Sequence, residues 1–364
     1  MGAGTDGTEI LVEFTRQGMK TMVLTGPGRM SMIQRPKPVI EKDTDVLIRM
    51  KALGVCGSDI HYYRNGRIGN QVVKYPFPVG HEGAGEVMAV GTAVTTVRPG
   101  QRIAIDPAMP CFQCDQCLEN RFHTCRNLKF LGCPGQADGC LSEYIRMPET
   151  SCYPIPGSMS FEEAALSEPL AIGIYAARLA GLAMTGKKIG ILGFGPIGMS
   201  VLLAVREQGA YNILVTDKID ARLDLARLSG AAMTGNPERQ DIPGLAMAGS
   251  NPSLDVVFEC CGRQEAVDQA IEMLKPGGKL LILGIPEFSR WSFPVDDLRH
   301  KEIAIQNVRR QNGSVHRTLD LLASRRIDVS RMITHRFPFS QAQEAFDLVA
   351  GYHDGVMKAM IDFD

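Results

Sequence analysis

The segment KIGILGFGPIG, residues 188–198, decides the fold of the chain. It begins with an apolar run typical of a buried strand, and a helical pattern starts at Gly195. In such a turn Gly193 permits the tight bend and Gly195 lets the backbone approach a pyrophosphate, while Gly198 lets the helix pack closely on the strand. The helix N-terminus favours an anion at the same place. The segment therefore predicts a dinucleotide-binding site, and an ordinary glycine-rich turn in an unliganded α/β domain is the alternative.

The alternation of strand and helix continues after this segment. Strands are predicted at 188–192, 212–216, 255–259 and 279–283, and helices at 195–208, 221–228 and 264–274. Strands that alternate with helices predict βαβ units and a parallel, doubly wound sheet. Before about residue 156, short strands broken by Gly and Pro instead predict an irregular β-barrel-like domain. We therefore expect an α/β protein with one domain at 18–168 and 304–364 and a dinucleotide-binding domain at 169–303.

Asp217 bears on which dinucleotide is bound. It ends the second predicted strand. Its separation along the sequence from the glycine-rich turn is close to that of the acid that binds the adenosine ribose in such domains. A carboxylate there hydrogen-bonds a free 2′-hydroxyl and repels a 2′-phosphate, which favours NAD over NADP. Lys218 and Arg222 keep NADP open, because either could bind a phosphate, and Arg222 could equally point at the ribose. The residues expected to bind the cofactor are Gly193, Gly195, Pro196, Ile197, Gly198, Asp217 and Arg222.

Four cysteines in the first domain have the spacing of a metal site. One loop carries Cys111, Cys114, Cys117 and Cys125. Four closely spaced thiolates with no open position suit a tetrahedral, structural zinc ion. The competing pattern is the bacterial ferredoxin run C-x2-C-x2-C-x3-C-P, but here the last gap is longer and no proline follows Cys125. The spacing therefore favours zinc over an iron–sulfur cluster.

A second set of candidate metal ligands is scattered along the chain. The candidate catalytic residues are Cys56, Ser58, His61, His81, Glu82 and Glu168. A thiolate, an imidazole and carboxylates around one water-filled position are the donors of a catalytic zinc site. Taken alone, Cys56 could be a core residue and His81 a turn histidine, so the prediction depends on their conjunction with the other polar residues. Zinc and a dinucleotide in one chain indicate metal-assisted hydride transfer.

The composition excludes several classes of partner. With 39 basic and 40 acidic residues the net charge is −1, so no long-range field favours nucleic acid or an anionic membrane. The apolar runs are far shorter than a membrane span. Ten cysteines in a chain without a signal-peptide pattern argue for a reducing compartment, and we expect the cytoplasm. The expected partner is a small-molecule substrate.

These motifs together resemble those of the zinc-dependent medium-chain dehydrogenases. The runs CGSDIH at 56–61 and GHE at 80–82, the four-cysteine loop and GFGPIG at 193–198 stand in that family's order. Within the family, HYYRNGRIG at 61–69 and EPL at 168–170 are similar to the sorbitol (polyol) dehydrogenase branch. The resemblance covers nearly the whole chain. It implies a GroES-like, zinc-binding catalytic domain, a Rossmann cofactor domain and a homo-oligomer, expected to be a tetramer.

The resemblance also implies roles for single residues. Cys56, His81 and Glu82 would ligate the catalytic zinc and Glu168 would hold, or exchange with, the water there, so that the third ligand is Glu82 or Glu168. Ser58 and His61 would form a proton relay, with Glu168 as the alternative proton acceptor. The implied reaction is oxidation of a secondary alcohol of a sorbitol-like polyol to a ketose, with hydride transfer to NAD.

The sequence departs from the polyol branch at one pocket position. Where those enzymes carry an Arg-Tyr pair, this chain reads Arg309-Arg310. Tyr62, Phe130 and Arg309 are expected to line the substrate pocket, with Arg309 anchoring polyol hydroxyls, but the missing tyrosine leaves the substrate open. The alternatives are a zinc alcohol or threonine-type dehydrogenase acting on another alcohol, and a non-catalytic NAD- and zinc-binding sensor.

Overall fold

Two large β-sheets organise the chain. The computed structural model describes residues 18–181, 183–247 and 253–363. Within them lie a seven-stranded sheet, antiparallel except for one pair, and a six-stranded parallel sheet. The strands in chain order are β1 Gly18–Gly26, β2 Arg29–Pro36, β3 Asp45–Gly54, β4 Arg67–Ile68, β5 Gln71–Val72, β6 Glu82–Val90, β7 Arg102–Ile105, β8 Ala108–Met109, β9 Lys129–Phe130, β10 Tyr144–Pro148, β11 Cys152–Pro154, β12 Lys188–Leu192, β13 Asn212–Thr216, β14 Met233–Gly235, β15 Leu254–Glu259, β16 Leu274–Ile282, β17 Ala304–Asn307, β18 Ile333–Pro338 and β19 Lys358–Asp362.

Helices connect these strands and cover the parallel sheet. In chain order they are α1 Gly57–Asn65, α2 Asp115–Leu118, α3 Phe161–Ala165, α4 Ser167–Ala180, α5 Pro196–Glu207, α6 Asp220–Leu228, α7 Ile242–Met247, α8 Gln264–Met273, α9 Val295–Lys301, α10 Val315–Ala323 and α11 Ala342–Gly351. Short 3₁₀ turns lie at Phe122–Thr124, Glu149–Ser151, Ser330–Met332, Phe339–Gln341 and His353–Gly355. A capping box lies at the start of α3, where Ser160 Oγ accepts a hydrogen bond from the Glu163 N–H at 3.0 Å and the Glu163 carboxylate accepts one from the Ser160 N–H at 2.8 Å.

The parallel sheet has the strand order β14-β13-β12-β15-β16-β17. The chain builds outward from β12 to one edge and then returns to build from β15 to the other, so the strand order reverses between β12 and β15. Ligands of such sheets bind at the carboxyl ends of the strands at this point. Strand β12 is almost entirely buried, as expected of a parallel strand covered on both faces. The predicted doubly wound sheet is confirmed.

The first sheet brings distant parts of the chain together. Its order is β11-β7-β6-β3-β19-β18, and β10 also pairs with β3. Strand β3 pairs antiparallel with β6, which places Gly54 opposite Glu82, and on its other side β3 pairs with the C-terminal strand β19. The predicted return of the chain to the first domain is therefore built by β18 and β19.

The boundary between the two sheets differs slightly from the predicted one. We expected the chain to leave the cofactor domain after residue 303, but β17 pairs in parallel with β16 as the edge strand of the six-stranded sheet. The sheet therefore extends to Asn307. The sequence signal is weak here because β17 is an edge strand with mostly exposed side chains, so it lacks the apolar run of the inner strands.

One apolar core joins the two sheets. It includes Ala52 and Ala84 from the first sheet and Val256 and Leu281 from the second, together with α4 and α5. The two helices pack closely because a Cβ at Gly173 would stand 2.4 Å from a backbone carbon of α5. The first turn of α4, which carries Glu168, is thus fixed between the two sheets.

Candidate active site

The pairing of β3 with β6 assembles the scattered metal ligands. Cys56 follows β3 and caps the N-terminus of α1, whereas His81 and Glu82 lie at the start of β6. Because Gly54 is the register partner of Glu82, the two ends meet. One ligand atom from each of Cys56, His81 and Glu82 lies within 4.8 Å of the others. A thiolate, an imidazole and a carboxylate at this spacing form the donor set of a catalytic zinc site.

Asp59 fixes the orientation of His81. Its Oδ1 lies 3.2 Å from His81 Nδ1 and accepts a hydrogen bond from the Gly80 N–H at 3.4 Å. With Nδ1 held in this way, Nε2 is the ring nitrogen left for a metal. Burial disfavours charge on the ring, but Asp59 and Cys56 outweigh it and raise the pKa of His81 well above its usual value. The group therefore favours positive charge at its centre, as a zinc-binding site requires.

A buried lysine contacts the third residue of the ligand group. Lys358 Nζ, at the start of β19, lies 2.8 and 2.6 Å from the two Glu82 carboxylate oxygens and 3.1 Å from the Val55 carbonyl oxygen. Both side chains of the pair are 1% exposed. Gly54 leaves the room for the carboxylate, because a Cβ there would stand 2.3 Å from Glu82 Oε2. Glu82 thus faces both the metal site and a buried cation.

Glu168 lies near this group but is not one of its three members within the described residues. It is buried in the first turn of α4. Burial is the main cause that raises the pKa of Glu168 to about 7, with His81, Glu82 and Lys358 among the charges close enough to act on it. A carboxyl with this pKa can exchange a proton near neutral pH.

The two predicted relay residues lie on α1. Ser58 Oγ donates a hydrogen bond to Cys56 Sγ at 3.3 Å. His61 lies one helical turn further on, half-buried, with Nδ1 3.8 Å from Glu287 Oε1 of the segment after β16. Burial lowers the pKa of His61. The helix therefore carries a hydroxyl beside the metal ligand and an imidazole towards solvent.

The four-cysteine loop has the geometry of a closed metal site. Cys114 Sγ lies 3.7 Å from Cys117 Sγ and 3.8 Å from Cys125 Sγ, and Cys125 Sγ lies 3.4 Å from Cys111 Sγ. Zinc bound tetrahedrally with Zn–S distances of about 2.3 Å separates its sulfur ligands by about 3.8 Å. Backbone N–H groups of Gln113 and Cys114 lower the pKa of Cys111 to about 6, which favours the thiolate. The residues present fit a structural zinc ion.

The glycine-rich turn has the shape that the sequence predicts. Gly193 has a φ of 91°, and a Cβ at Gly198 would stand 2.1 Å from the Gly193 carbonyl oxygen. Gly195 caps α5, whose first residues are Pro196 and Ile197. The Asp217 carboxylate accepts hydrogen bonds from the N–H groups of Phe194 at 2.7 Å and Ile219 at 2.9 Å. Asp217 therefore lies at the turn, at the carboxyl end of β13.

Arg222 is held by the C-terminal segment of the chain. Its Nε and Nη2 donate to the Val356 carbonyl oxygen at 3.1 and 2.7 Å, and its guanidinium carbon lies 5.3 Å from the centre of the Tyr352 ring. Lys218 Nζ lies 5.6 Å from the same ring. The role of Arg222 in binding the cofactor stays a prediction.

Comparison with known proteins identifies the family. The alcohol dehydrogenase GroES-like domain matches residues 42–157, and the zinc-binding dehydrogenase domain matches residues 196–324. Sorbitol dehydrogenases from Bacillus subtilis and Mus musculus are each 36% identical to the chain, over 95% and 90% of its length and 97% and 91% of theirs. The chain belongs to the zinc-dependent medium-chain dehydrogenases, in the sorbitol dehydrogenase branch.

Solved structures of medium-chain dehydrogenases have the same fold. An Escherichia coli oxidoreductase of unknown specificity superposes with a TM-score of 0.88 at 32% identity, covering 96% of this chain and 100% of that one. A zinc-binding dehydrogenase of Sinorhizobium meliloti, solved with NADP, gives 0.86 at 29% identity over 96% of this chain and 100% of that one. The chain is thus a zinc-family oxidoreductase with a GroES-like and a Rossmann-type domain. None of the described helices has both the length and the apolar character needed to cross a membrane.

Arg310, which the sequence shows only as a departure from the polyol branch, lies among the residues expected to line the substrate pocket. The Phe130 ring lies 5.4 Å from the His81 ring, and Tyr62 donates from its hydroxyl to Gln71 Oε1 at 2.8 Å. Arg310 lies with its guanidinium carbon 3.4 Å from the centre of the Phe130 ring. Arg309, which was expected there, is exposed and donates from Nε to the His123 carbonyl oxygen at 3.1 Å. Its predicted contact with polyol hydroxyls stays a prediction.

Lys358 was not identified as part of the site from the sequence, because its partner lies far away in the chain. It is separated from Glu82 by 276 positions, and no local pattern connects them. The available signal was a lysine directly before three apolar residues in the strand KAMID, residues 358–362, because a charge at a buried strand position requires a buried partner.

Proposed function

We propose that the protein oxidises a secondary alcohol of a polyol to a ketose, with transfer of the hydride to NAD. The observation that carries the proposal is the grouping of Cys56, His81 and Glu82 within 4.8 Å, beside buried Glu168. The sorbitol dehydrogenases among its relatives support a polyol as the substrate class. The proposed location and assembly are the cytoplasm and a homo-tetramer.

The metal and the dinucleotide would supply the chemistry that side chains lack. Zinc held by Cys56, His81 and a carboxylate would lower the pKa of an alcohol hydroxyl as a Lewis acid, and NAD would accept the hydride. Either Glu82 or Glu168 would provide the carboxylate. Glu82 lies within the compact group, which favours it, whereas its ion pair with Lys358 competes for the same oxygens.

The chain's own residues would position the alcohol and remove its proton. Ser58 Oγ lies beside the Cys56 sulfur, where it can accept a hydrogen bond from the substrate hydroxyl. His61, half-buried and near Glu287, would pass the proton to solvent. Glu168 is the second candidate acceptor, since burial raises its pKa to about 7. Slower turnover in His61→Ala with normal turnover in Glu168→Gln would favour the first route.

The proposed preference for NAD depends on Asp217. Its carboxylate is held at the glycine-rich turn by two backbone N–H groups, and a fixed negative charge there would repel a 2′-phosphate. The Sinorhizobium meliloti relative was solved with NADP, so the choice has to be measured for this chain.

The first experiment is NADH and NADPH formation by the purified, zinc-replete protein. The panel contains sorbitol, xylitol, galactitol, ribitol, threonine, butanediol and simple alcohols. We expect turnover of a polyol with NAD and its loss in Cys56→Ser and in His81→Ala, each still folded by circular dichroism. Cys152→Ser is the matched control, because Cys152 is buried away from both metal groups and bonds the Pro148 carbonyl oxygen. Full activity of Cys56→Ser would show that the proposed site is wrong.

A second candidate function differs only in the substrate. The position of Arg310 where polyol enzymes carry a tyrosine favours a zinc alcohol or threonine-type dehydrogenase acting on another alcohol. Turnover of threonine, butanediol or a simple alcohol without turnover of any polyol would select it. Zinc and NAD binding without oxidation of any alcohol would select the sensor instead.

A further inference from the structure

Arg310 is a cation in the substrate pocket with an unused hydrogen-bond donor. Its Nη1 is buried and has no hydrogen-bond partner within the described residues. A buried guanidinium N–H without a partner costs free energy, and this cost is recovered when an acceptor binds. The unused donor therefore indicates a group that arrives with the substrate.

Packing holds the guanidinium next to the metal ligands. It lies over the Phe130 ring, with 3.4 Å between its central carbon and the ring centre, and the same ring lies 5.4 Å from the His81 ring. A cation over an aromatic face at this distance is attracted to it. The backbone of Arg310 is left-handed, with a φ of 53°, which directs it differently from Arg309. A single aromatic ring thus separates the guanidinium from a proposed zinc ligand.

No acid forms a direct ion pair with Arg310 in the part of the chain that the structure describes. Burial raises the pKa of both Tyr62 and Cys133, so these two neighbours are neutral at pH 7, and Arg309 adds a second positive charge. Asp106 is already bonded to the Ala108 N–H and to Gln311. Within the described residues Arg310 makes no ion pair of 4.0 Å or less. Burial lowers its own pKa to about 10, which reflects the cost of keeping it charged there.

Glu168, which lies near the metal ligands, is an acid whose charge acts on Arg310. Among the described contacts it makes no hydrogen bond with the guanidinium. A sugar chain whose hydroxyl lies at the metal group could then place a terminal anion against Nη1.

We propose that Arg310 binds a carboxylate or phosphate of the substrate, so that the alcohol oxidised belongs to an anionic polyol, an aldonate or a polyol phosphate. This inference rests on the proposed alcohol oxidation and adds its substrate class. In this reaction the C–H and O–H bonds of the carbinol break and a C=O bond forms. The hydride reduces NAD, the proton is released, and the anionic group does not react. A planar guanidinium is suited to both anions because its donors match pairs of oxygens.

The test compares anionic polyols with their neutral counterparts. The zinc-replete enzyme is given gluconate, idonate, galactonate, sorbitol 6-phosphate and galactitol 1-phosphate beside sorbitol, iditol and galactitol, with NAD and with NADP. The variants are Arg310→Gln, which removes the charge, and Arg310→Lys, which keeps it. Arg98→Gln is the matched control, since Arg98 is exposed in a surface turn. Binding of each anion to the zinc- and NADH-loaded protein is measured by titration calorimetry.

We expect kcat/KM for one anionic polyol to exceed that of its neutral counterpart by about 10- to 100-fold, the range of a charge-assisted hydrogen bond. Arg310→Gln should lose this advantage mainly through KM, Arg310→Lys should keep part of it, and Arg98→Gln should not change it. Preference for a carboxylate or for a phosphate identifies which anion is bound.

Failure of this inference is distinguishable from failure of the proposed oxidation. If neutral polyols are oxidised as well as the anions and Arg310→Gln changes neither, the anion site is wrong while the oxidation stands. If anions bind in an Arg310-dependent manner but no alcohol is oxidised, the anion site stands and the proposed oxidation is wrong. Anions that neither bind nor react better than neutral polyols overturn the proposal.

Discussion

Asp106 is a carboxyl that the fold holds in an unfavourable environment. It accepts hydrogen bonds from the Ala108 N–H at 3.0 Å and from Gln311 Nε2 at 2.9 Å. Burial is the largest effect on it and outweighs these two bonds, so the pKa of Asp106 is raised from 3.8 to about 6. The folded state therefore binds this proton more tightly than the unfolded chain does, and the contribution of Asp106 to the stability of the fold falls as the pH rises from about 4 to about 6.

Replacing Asp106 with asparagine removes this cost. At pH 7 we expect Asp106→Asn to be more stable than the wild type by about 2 kcal/mol, which is less than the full equivalent of the pKa shift because part of the residue meets solvent. The difference should shrink as the pH falls towards 4, since Asp106 is then protonated in the folded state and increasingly protonated in the unfolded chain. Urea unfolding of the zinc-replete proteins at the two pH values measures it. Equal stability at both pH values would show that burial does not raise this pKa.

The candidate metal ligands could be selected from residue type alone, whereas residues that join the site through long-range strand pairing could not. Cys56, His81 and Glu82 could be selected because thiol, imidazole and carboxylate are recognisable donors. Lys358 could not, because its partner is set by the pairing of β3 with β19. The position of Arg310 over Phe130 depends on the left-handed backbone at residue 310, which the sequence does not reveal for an arginine.

At the scale of elements, the four-cysteine loop depends on its proposed metal. Between Cys111 and Cys125 the only helices described are the one-turn α2 and a 3₁₀ turn, so the loop has little regular structure of its own. We expect Cys114→Ser to lose one zinc per chain and to melt at a lower temperature, while the fraction that stays folded keeps its activity. Elemental analysis measures the zinc content and calorimetry the melting temperature. Cys152→Ser, the control, should keep the wild-type value of each. Loss of the zinc with unchanged melting would contradict a structural role.

The turn between β12 and α5 depends on close packing at Gly198. Since a Cβ there would stand 2.1 Å from the Gly193 carbonyl oxygen, Gly198→Ala must move the helix away from the strand. We expect NADH to bind at least about 10-fold more weakly, because the helix N-terminus shifts, and stability to fall by about 1–3 kcal/mol from the overpacking. Fluorescence titration and urea unfolding measure the two effects. Gly157→Ala is the control, because nothing lies within 4 Å of its added Cβ, and equal NADH affinity in both variants would exclude this role of the turn.

The inner elements of the parallel sheet were predictable to within a few residues because each signal is local. Strands β12 and β13 have the predicted bounds, 188–192 and 212–216, and α8 ends one residue before the predicted end at 274. Their apolar runs are continuous because both faces are covered. Strand β17 was not predicted, since an exposed edge strand has no such run. The first sheet was predicted only as a class, because its pairing joins β3 to strands far away in the chain.

At the scale of the whole molecule, Arg222 joins the two sheets. It lies on α6, beside the parallel sheet, and donates two hydrogen bonds to the carbonyl oxygen of Val356, just before β19 of the first sheet. A charged donor that bonds a backbone acceptor in a buried place contributes about 1.5–3 kcal/mol per bond. The same guanidinium was a candidate ligand for the cofactor ribose or phosphate. These bonds indicate that it contributes first to stability.

Substitution of Arg222 by methionine distinguishes the two roles. We expect Arg222→Met to lose about 2–3 kcal/mol of unfolding free energy, or to separate one unfolding transition into two, because the contact between the sheets is weakened. Its Kd for NADH should change by less than about threefold. Calorimetry and fluorescence titration measure both, with Arg227→Met as the control on the same helix, since Arg227 pairs only with exposed Asp224 in the described structure. A large loss of NADH affinity with unchanged stability would instead assign Arg222 to cofactor binding. The contact between the two sheets would then depend on the apolar core that α4 and α5 form between them.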